Sequence, residues 1–198
     1  MQRLLVILLP LCMLACSDGA SVQSGTIFPQ DVELSPGDVV FRRGSGVTSH
    51  AVLLAEKGGA YSHVGIVVDS AGVPMVVHAV PYEDDEDRVK MEHPNEFFAP
   101  AKAQQGAVYR HRSSEVAHQA AEAAVQVYRR GVLFDHDYNS SDTTKMYCTE
   151  LVIFAYGKTQ QPLPGLHPHH LHLVGFESDC FLPSDLQHCK DLKQVTTF

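Results

Sequence analysis

Basic residues are scarce in this 198-residue chain, which has 15 Lys and Arg against 23 Asp and Glu and a formal net charge of −8. No basic patch stands out, which argues against a nucleic-acid partner. The sequence has no internal repeat and no second composition regime, so neither a repeat array nor a second domain is expected. With 44% hydrophobic residues the chain suits one globular domain with its own core, and no motif indicates a cofactor.

The first residues are expected to lie outside that domain. "MQRLLVILLPLCMLACS" has one basic residue, an apolar run too short to span a membrane comfortably, and a small residue before a cysteine. This is the pattern of a secretory signal, assigned to residues 1–15. Its "MLAC" ending resembles a bacterial lipobox, which implies a lipid on Cys16, and the non-acidic Ser17 implies sorting to the outer membrane, facing the periplasm. A plain cleaved signal or a membrane anchor is the alternative, and residues 16–33 follow as a tether.

Export changes how the five cysteines are interpreted. Cys12 is removed with the signal, and Cys16 would carry the lipid. In an oxidising compartment Cys180 and Cys189, close together in "ESDCFLPSDLQHC", are candidates for a disulfide. Cys148 is then the unpaired thiol, which calls for a reason, although pairing of Cys148 with either of the other two stays open.

Residues 34–198 are predicted to form the folded domain, of the α+β class. "DVVF", "SHVGIVV", "PMVVHAV" and "GAVYRHR" are rich in β-branched residues, which predicts strands. "SSEVAHQAAEAAVQVYRRG" predicts a helix that Ser113 or Ser114 caps and Gly131 ends, and a second helix begins at Cys148. The acidic runs "YEDDED" and "KMEHPNE", which include residues 83–87, are interpreted as a solvated loop rather than a binding surface.

Two histidines are expected to meet on a hairpin. "DSAG", between two strand-like segments, predicts a turn at Ser70 and Ala71. Extending the pairing outward from that turn places His63 opposite His78. Directly opposed residues have Cβ atoms about 4.5–5.5 Å apart on one face of a sheet. A slip of one residue would turn one histidine to the other face.

Cys148 stands where the apolar helix "TELVIFAYG" begins. The positive end of a helix dipole favours a thiolate, and a neighbouring histidine can accept the thiol proton. We therefore expect Cys148 to be a nucleophile, His63 its general base, and His78 the residue that orients His63. Without other information, a cysteine ahead of an apolar helix is more often a small buried residue, and a strand histidine is more often structural.

Other interpretations of these residue types stay open. Cys148, His63 and His78 are also a zinc-ligand set. The cluster "HPHHLH", residues 167–172, could bind a metal, although its proline and uneven spacing fit a surface loop better. The domain could also be an inactive binding module of the cell envelope. His50, in "TSHAVLL", begins no β-rich run and is not expected to be catalytic.

The chain contains, in this order, the segments "LSPGDVVFRRG", "AYSHVGIVV", "VVHAV", "FDHDYNSSDTTKMYCTELV" and "LPSDL". This ordered set resembles the permuted papain-like cysteine hydrolases of the YiiX/YaeF type, within the NlpC/P60 superfamily. The resemblance runs from about Leu34 to about Leu186. It implies a circularly permuted papain-like fold, in which an antiparallel sheet packs on helices that include the nucleophile helix. The histidine strands precede the cysteine helix here, which is the permuted order.

The resemblance also assigns roles to individual residues. Cys148 matches the family nucleophile and His63, in "SHVGI", its general base. His78 occupies the third position, where many permuted members have a glutamate, so it would orient His63 without a full negative charge. The implied reaction is cleavage of an amide bond, in cell-wall peptides by first choice, with a lipid amide, a thioester or acyl transfer as the alternative. The wall or support residues of the matching motif are Tyr138, Tyr147 and Asp137.

Overall fold

The structure, a computed structural model, describes residues 25–56, 59–83, 86–140, 142–173 and 176–198. The predicted signal peptide and the predicted lipidation site at Cys16 lie outside these residues. In the described part of the chain, no helix has the length and apolar character needed to span a membrane.

Ten strands and five helices form the described part of the chain. The strands are β1 Val39–Arg43, β2 His63–Ser70, β3 Val73–Glu83, β4 Glu86–Glu92, β5 Gln105–His111, β6 Leu133–Phe134, β7 Lys145–Met146, β8 His169–Leu173, β9 Phe176–Cys180 and β10 Leu192–Thr197. The helices are α1 Val47–Ala55, α2 Pro94–Phe97, α3 Ser114–Arg129, α4 Cys148–Gly157 and α5 Pro183–Gln187. Eight strands form one sheet in the order β10-β5-β1-β2-β3-β4-β6-β7, and β8 pairs with β9 as a separate hairpin.

Helices α3 and α4 pack against each other and against one face of the large sheet, around its central strand β2. The predicted helix 114–129 is present, with Ser113 Oγ accepting a hydrogen bond from the amide of Val116 at 3.3 Å. The hydroxyl of Tyr156 in α4 donates to the carbonyl of Gly37 at 2.7 Å, which fastens the nucleophile helix to the chain entering β1. The α+β prediction, with a largely antiparallel sheet on helices, is confirmed.

The β2–β3 hairpin has a different register from the predicted one. Its turn consists of Ala71 and Gly72, which both have positive φ, as a tight two-residue hairpin turn requires. The turn therefore lies one residue later than predicted, and continuing the observed ladder places Gly65, not His63, opposite His78. The predicted direct pairing is wrong by two residues. A shift of two keeps both histidines on one face, where they are diagonal neighbours.

The predicted tether is shorter than 16–33, because its end packs on the domain. The amide of Ile27 donates to the carbonyl of Phe98 at 3.0 Å. The ring of Phe28 stacks on Phe98 with centroids 5.4 Å apart and meets the edge of Phe198 at 5.6 Å. Apolar side chains in this segment gain more by burial on the face of the sheet that α3 and α4 leave uncovered than by remaining in water.

The prediction of a solvated loop at "KMEHPNE" is also wrong. These residues belong to β4 and α2, and the side chains of Lys90 and Glu92 are buried. These charges are tolerated because Lys90 and Glu92, two residues apart on β4, form an ion pair with Nζ 3.0 Å from Oε2. Residues 84 and 85, in the centre of the other acidic run, lie outside the described residues.

Candidate active site

Cys148 is the first residue of helix α4, and the local sequence explains why the helix begins there. Tyr147 has an extended backbone and is the N-cap residue, and its carbonyl accepts the amide of Leu151 at 3.0 Å. The side chain of Glu150 turns back and accepts from the amide of Tyr147 at 3.4 Å, which is half of a capping box. The thiol of Cys148 therefore projects from a helix start whose other amides are not yet paired within the helix.

The sulfur of Cys148 lies against strand β2. The backbone amide of Val64 acts on this sulfur and favours the thiolate, and the Thr149 hydroxyl lies 3.9 Å from the sulfur. Val64 directly follows His63, so the fold brings the sulfur to the peptide unit that joins these two residues. Burial raises the pKa of the Cys148 thiol, although the surrounding hydrogen-bond donors act in the opposite direction. At rest the thiol is therefore protonated.

The imidazoles of His63 and His78 are in direct contact. His63 Nε2 lies 2.8 Å from His78 Nδ1, and the two rings meet edge to face. The contact is diagonal across the hairpin, and Gly65 makes room for it. A Cβ atom at Gly65 would lie 3.1 Å from His78 Cβ and 2.6 Å from Val76 Cγ1. The sequence-based pairing of the two histidines depended on the wrong register, but the diagonal geometry still brings the rings together.

Glu92 is a residue of the site that the sequence analysis missed. It lies on β4 next to β3, and its Oε1 is 3.0 Å from His78 Nε2. The carboxylate oxygen lies off the direction of a linear hydrogen bond, so the contact is mainly electrostatic. A signal was present in "VKME", where apolar and charged residues alternate as in a half-buried strand. Alternation alone does not show that the charged face is covered as well.

Positive side chains surround the Glu92 carboxylate. Lys90 Nζ lies 3.0 Å from Oε2, Lys102 Nζ 3.4 Å from Oε2, and an Arg42 nitrogen 3.8 Å from Oε1. Burial raises the pKa of Glu92, but the contacts with His78 and Lys90 outweigh it and hold the pKa well below its ordinary value. The carboxylate is therefore ionised at neutral pH.

The same surroundings disfavour a charged His63. Burial, and after it the positive charge of Arg42, lowers the pKa of His63 well below its ordinary value. Arg42 pairs directly with His63 across β1 and β2, and its guanidinium lies 4.7 Å from the centre of the Phe97 ring. His63 is therefore neutral at rest, as a residue that must accept a proton has to be.

An apolar pocket of about 230 Å³ opens at Cys148. Tyr138 and Tyr147, the predicted wall residues, both line it, with ring centroids 5.2 Å apart. The hydroxyl of Tyr147 accepts the amide of Phe181 at 2.9 Å, so this polar atom is satisfied inside the wall. The other lining residues are Thr48, Ala51, Val52, Ala55, Thr149, Leu171, Cys180, Phe181, Leu182 and Pro183.

The loop that carries Tyr138 is held by Asp135, not by Asp137. The buried carboxylate of Asp135 accepts the amides of Asp137 at 3.0 Å and Asn139 at 2.6 Å, whereas Asp137 is exposed. Tyr138 has φ of 51°, a left-handed conformation that is costly for a bulky residue. The two hydrogen bonds to Asp135 offset that cost. The support role predicted for Asp137 therefore belongs to its neighbour, which the sequence motif alone did not distinguish.

A second cavity, of about 490 Å³, lies on the side of His63. Thr48 lines both cavities, so they adjoin each other near the start of α1. This second cavity is called the polar recess, because charged and hydroxyl side chains are among its lining residues. The lining residues are Arg42, Gly44, Ser45, Gly46, Thr48, Ser49, Ser62, His63, Val80, Pro81, Tyr82, Ala101 and Lys102.

The remaining cysteines do not form the predicted disulfide. Cys180 and Cys189 are both free thiols. Cys180 ends β9 in the wall of the apolar pocket, whereas the sulfur of Cys189 faces the carbonyl of Pro164 at 3.8 Å. Helix α5 lies between them in the chain, so closeness in sequence does not bring the two sulfurs together. The disulfide prediction is wrong for this structure.

Two histidines of the 167–172 cluster contact carboxylates at the surface. Part of the 167–172 cluster lies in strand β8 rather than in a loop, and His169 Nε2 lies 2.7 Å from Asp185. His170 lies between Glu177 and Asp179 of β9, which raise its pKa. His50 is exposed on α1. Within the described ranges, no group of three or more His, Cys, Asp or Glu side chains is arranged to hold a metal ion.

Comparisons with known proteins show the family and the fold of this chain. A family model described as permuted papain-like amidase enzyme, YaeF/YiiX, C92 family, matches residues 33–195. The fold is similar to the crystal structure of the metalloprotein YiiX from Escherichia coli O157:H7, with a TM-score of 0.67 and 19% identity, over 89% of this chain and 98% of that one. No curated protein matches the sequence significantly. The family match covers most of the chain, so the protein belongs to the C92 family of permuted papain-like amidases.

Proposed function

We propose that this protein hydrolyses an amide bond through attack by Cys148, with His63 as the general base and His78 as its orienting partner. Membership of an amidase family makes it a cysteine amidohydrolase. The observation that carries the residue assignment is the direct contact of the His63 and His78 imidazoles on a hairpin whose strand β2 packs against helix α4. The backbone amide of Val64, the residue after His63, lowers the pKa of the Cys148 thiol, which supports a position of the thiol near His63.

The reaction begins from a neutral pair, because burial raises the pKa of the thiol and lowers that of the imidazole. His63 Nδ1, the ring nitrogen that does not face His78, takes the proton of the thiol as sulfur attacks the acyl carbon. Amides at the start of α4 are placed to stabilise the developing oxyanion. His63 then returns the proton to the leaving amine. Water hydrolyses the resulting thioester and regenerates the free thiol.

The acyl group of the substrate is proposed to be apolar. The pocket at Cys148 has aliphatic and aromatic walls and no charged side chain among its lining residues. A polar cell-wall peptide would lose hydration there without gaining partners. The volume of about 230 Å³ is below the roughly 300–1,000 Å³ of sites for drug-sized ligands, which suits one short or medium acyl chain. Cleavage of cell-wall peptides, the first choice from sequence, stays a prediction that this pocket favours less than the lipid amide.

The leaving amine is proposed to occupy the polar recess. His63 lines this cavity, so an amine expelled there receives its proton from the same imidazole. The hydroxyl and backbone groups of Ser45, Thr48 and Ser62 can exchange hydrogen bonds with a polar amine component. The substrate class is therefore an amide that joins an apolar acyl chain to a polar amine.

A zinc site at the same three residues fits the structure poorly. The related YiiX is described as a metalloprotein, which makes the test necessary. His63 Nε2 and His78 Nδ1 are 2.8 Å apart and face each other as donor and acceptor. Two nitrogens bound at about 2.0–2.1 Å to one tetrahedral zinc lie farther apart, and neither has a proton directed at the other. No step of the proposed reaction uses a metal.

A lipid on Cys16 would place the domain at a membrane surface, consistent with an acyl-amide substrate. The proposed location is the periplasmic face of the bacterial outer membrane, as the lipobox-like "MLAC" and Ser17 imply. Mass spectrometry of the mature N-terminus tests this placement directly. A diacylated or triacylated Cys16 is expected, and a different mature N-terminus would contradict it.

Hydrolysis of a chain-length series of N-acyl aminocoumarin amides tests the reaction and the acyl class together. Each added methylene that enters the pocket contributes roughly 0.8 kcal/mol, so kcat/KM should rise about fourfold per methylene until the pocket is full. Ala55→Phe narrows the pocket and should move that limit to shorter chains. Leu54→Phe is the matched control, because Leu54 is adjacent on α1 but exposed to solvent.

Muropeptides assayed in parallel separate the competing functions. Their cleavage, with no dependence of the coumarin amides on chain length, would establish the cell-wall function instead. Stoichiometric zinc, with activity lost to a chelator but retained after treatment with iodoacetamide, would establish the metal site. Binding of envelope components without turnover, unchanged by Cys148→Ser, would support the inactive module.

A further inference from the structure

We infer that Glu92 is a positioning residue that sets the tautomers of His78 and His63 and thereby leaves the base nitrogen of His63 unprotonated. This inference deepens the proposed function and rests on it. In this chain the third position of the site is His78, so the negative charge is not in direct contact with the base. Glu92, on the next strand, supplies that charge one residue further away.

The ring nitrogens that carry the protons can be assigned from the ability of each atom to donate or accept a hydrogen bond. An ionised carboxylate only accepts hydrogen bonds, so Glu92 favours a proton on His78 Nε2, 3.0 Å away. A neutral imidazole has one N–H, so His78 Nδ1 is then an acceptor. His63 Nε2, 2.8 Å from it, must be the donor. The remaining nitrogen of His63, Nδ1, is left with a free lone pair.

The reverse arrangement is disfavoured by the same charge. With the proton on His78 Nδ1, the lone pair of Nε2 would lie 3.0 Å from an oxygen of the Glu92 carboxylate and would be repelled by its charge. His63 Nε2 would become the acceptor, and the proton of neutral His63 would lie on Nδ1, where it could not accept another from Cys148. The contact between His78 and Glu92 therefore selects a His63 that can act as a base over one that cannot.

The charge of Glu92 also acts on the protonation of the histidine pair. The charged groups that face this pair are Arg42 from β1, Lys90 from β4, and Lys102 from the segment between α2 and β5. These cations disfavour an imidazolium on His63, and Glu92 partly offsets them. His78 is fully buried and Glu92 is 6% exposed, so water screens their interaction little.

Nitrogen-15 NMR of the wild-type protein, labelled at histidine, tests the tautomers without a substrate. Two-bond proton–nitrogen correlations distinguish the two tautomers of a neutral imidazole. The expected result at neutral pH is that both His63 and His78 carry the proton on Nε2. A proton on Nδ1 of His63 would overturn the inference. This measurement does not depend on folding of any variant, and it gives an answer even if the protein proves not to hydrolyse amides.

Kinetics of Glu92→Gln provide the second test, with Glu96→Gln as the matched control. Both changes remove one carboxylate, but Glu96 is exposed, four residues further along the chain. We expect kcat of Glu92→Gln to fall about 10- to 100-fold, the usual range for partners that orient a histidine. KM should change little, and the acidic limb of the pH–rate profile should move to lower pH, because a negative charge that favours the imidazolium is lost.

Glu92→Asp separates positioning from simple support of the fold. It keeps the charge, so it should preserve the acidic limb even if kcat is reduced. Unchanged kcat and an unchanged pH–rate profile in Glu92→Gln would overturn the inference while leaving the amidase proposal intact. Absence of hydrolysis in the wild type, with the expected tautomers, would instead count against the proposed function and not against the role of Glu92 in the histidine pair.

Discussion

The surroundings of Cys148 and those of His63 are opposites in composition. The thiol opens into a pocket of aliphatic and aromatic side chains, whereas the imidazole belongs to a buried set of charges on β1, β3 and β4. An acyl chain at the thiol needs a pocket of complementary shape that excludes water. Proton transfer at the imidazole needs fixed charges that set which nitrogen is protonated. The two residues of the proposed catalytic pair therefore depend on different interactions, apolar packing around the thiol and buried charges around the imidazole.

The two regions also differ in how they respond to substitution. Apolar walls tolerate changes that conserve volume, since each contact contributes little by itself. Substitutions among the buried charges should cost more stability, because removal of one charge leaves its partners buried and uncompensated. The variants below exploit this difference, in decreasing order of expected effect.

Replacement of the nucleophile should have the largest effect. Cys148→Ser should lower amide hydrolysis by about 10³-fold or more, because a hydroxyl is a far weaker nucleophile beside an imidazole adapted to a thiol. The assay is initial-rate hydrolysis of the best coumarin amide. Cys189→Ser is the control, since the sulfur of Cys189 faces Pro164 and not the pocket. Comparable losses in both variants would contradict the assignment of Cys148.

Removal of the carboxylate from the charged set should strongly destabilise the fold. Glu92→Leu leaves Lys90 and Arg42 buried without their shared partner, and we expect the free energy of unfolding to fall by about 3–5 kcal/mol. Urea denaturation measures it. Addition of Lys90→Leu should recover part of the loss, because one uncompensated charge is removed. A single variant as stable as the wild type would show that the charges are solvated in solution.

Crowding of the diagonal histidine contact should have a moderate effect. Gly65→Ala places a methyl group 3.1 Å from His78 Cβ, and overpacking of this kind costs about 1–3 kcal/mol. Activity should fall further than stability, because the contact between the two imidazoles is displaced. Gly157→Ala is the control, as a Cβ there meets no atom within 4 Å. Full activity in Gly65→Ala would show that the hairpin adjusts without moving His78.

The smallest effect is expected from a buried acid beside the nucleophile. Burial raises the pKa of Glu150 to about 8, above that of an unfolded glutamic acid. A raised folded-state pKa means that the contribution of this group to stability is complete below the unfolded pKa and is lost as the pH rises through about 8. The glutamine of Glu150→Gln cannot ionise. The free energy of unfolding of this variant, relative to that of the wild type, should therefore rise by about 1 kcal/mol or more between pH 5 and pH 9.

Denaturation of both proteins at the two pH values measures this difference. Glu33→Gln is the control, because Glu33 is exposed and its charged neighbour is Arg110, so this variant should show the same relative stability at pH 5 and pH 9. A Glu150→Gln variant with no pH-dependent gain would indicate that Glu150 is ionised in the folded protein.

Sequence reasoning was sufficient where the evidence was local. Capping and terminal residues predicted α3, and β-branched runs predicted the strands of the hairpin. It failed for the hairpin register, because a turn one residue later is nearly equivalent in local sequence and only the positive φ of Ala71 and Gly72 decides between them. It failed for the disulfide as well, since closeness of Cys180 and Cys189 in the chain says little about where their side chains point.

The sequence by itself determined the class of the protein, because an ordered set of motifs specifies a cysteine at a helix start and a histidine at a strand start. Only the tertiary structure decided which other side chains surround this cysteine and this histidine, and whether those side chains are buried. A charged residue in a strand has the same sequence pattern whether its face is open to water or covered, and Lys90 and Glu92 are both buried here. Burial depends on which distant segments pack together, and that is why the charge behind the histidines became visible only in the folded chain.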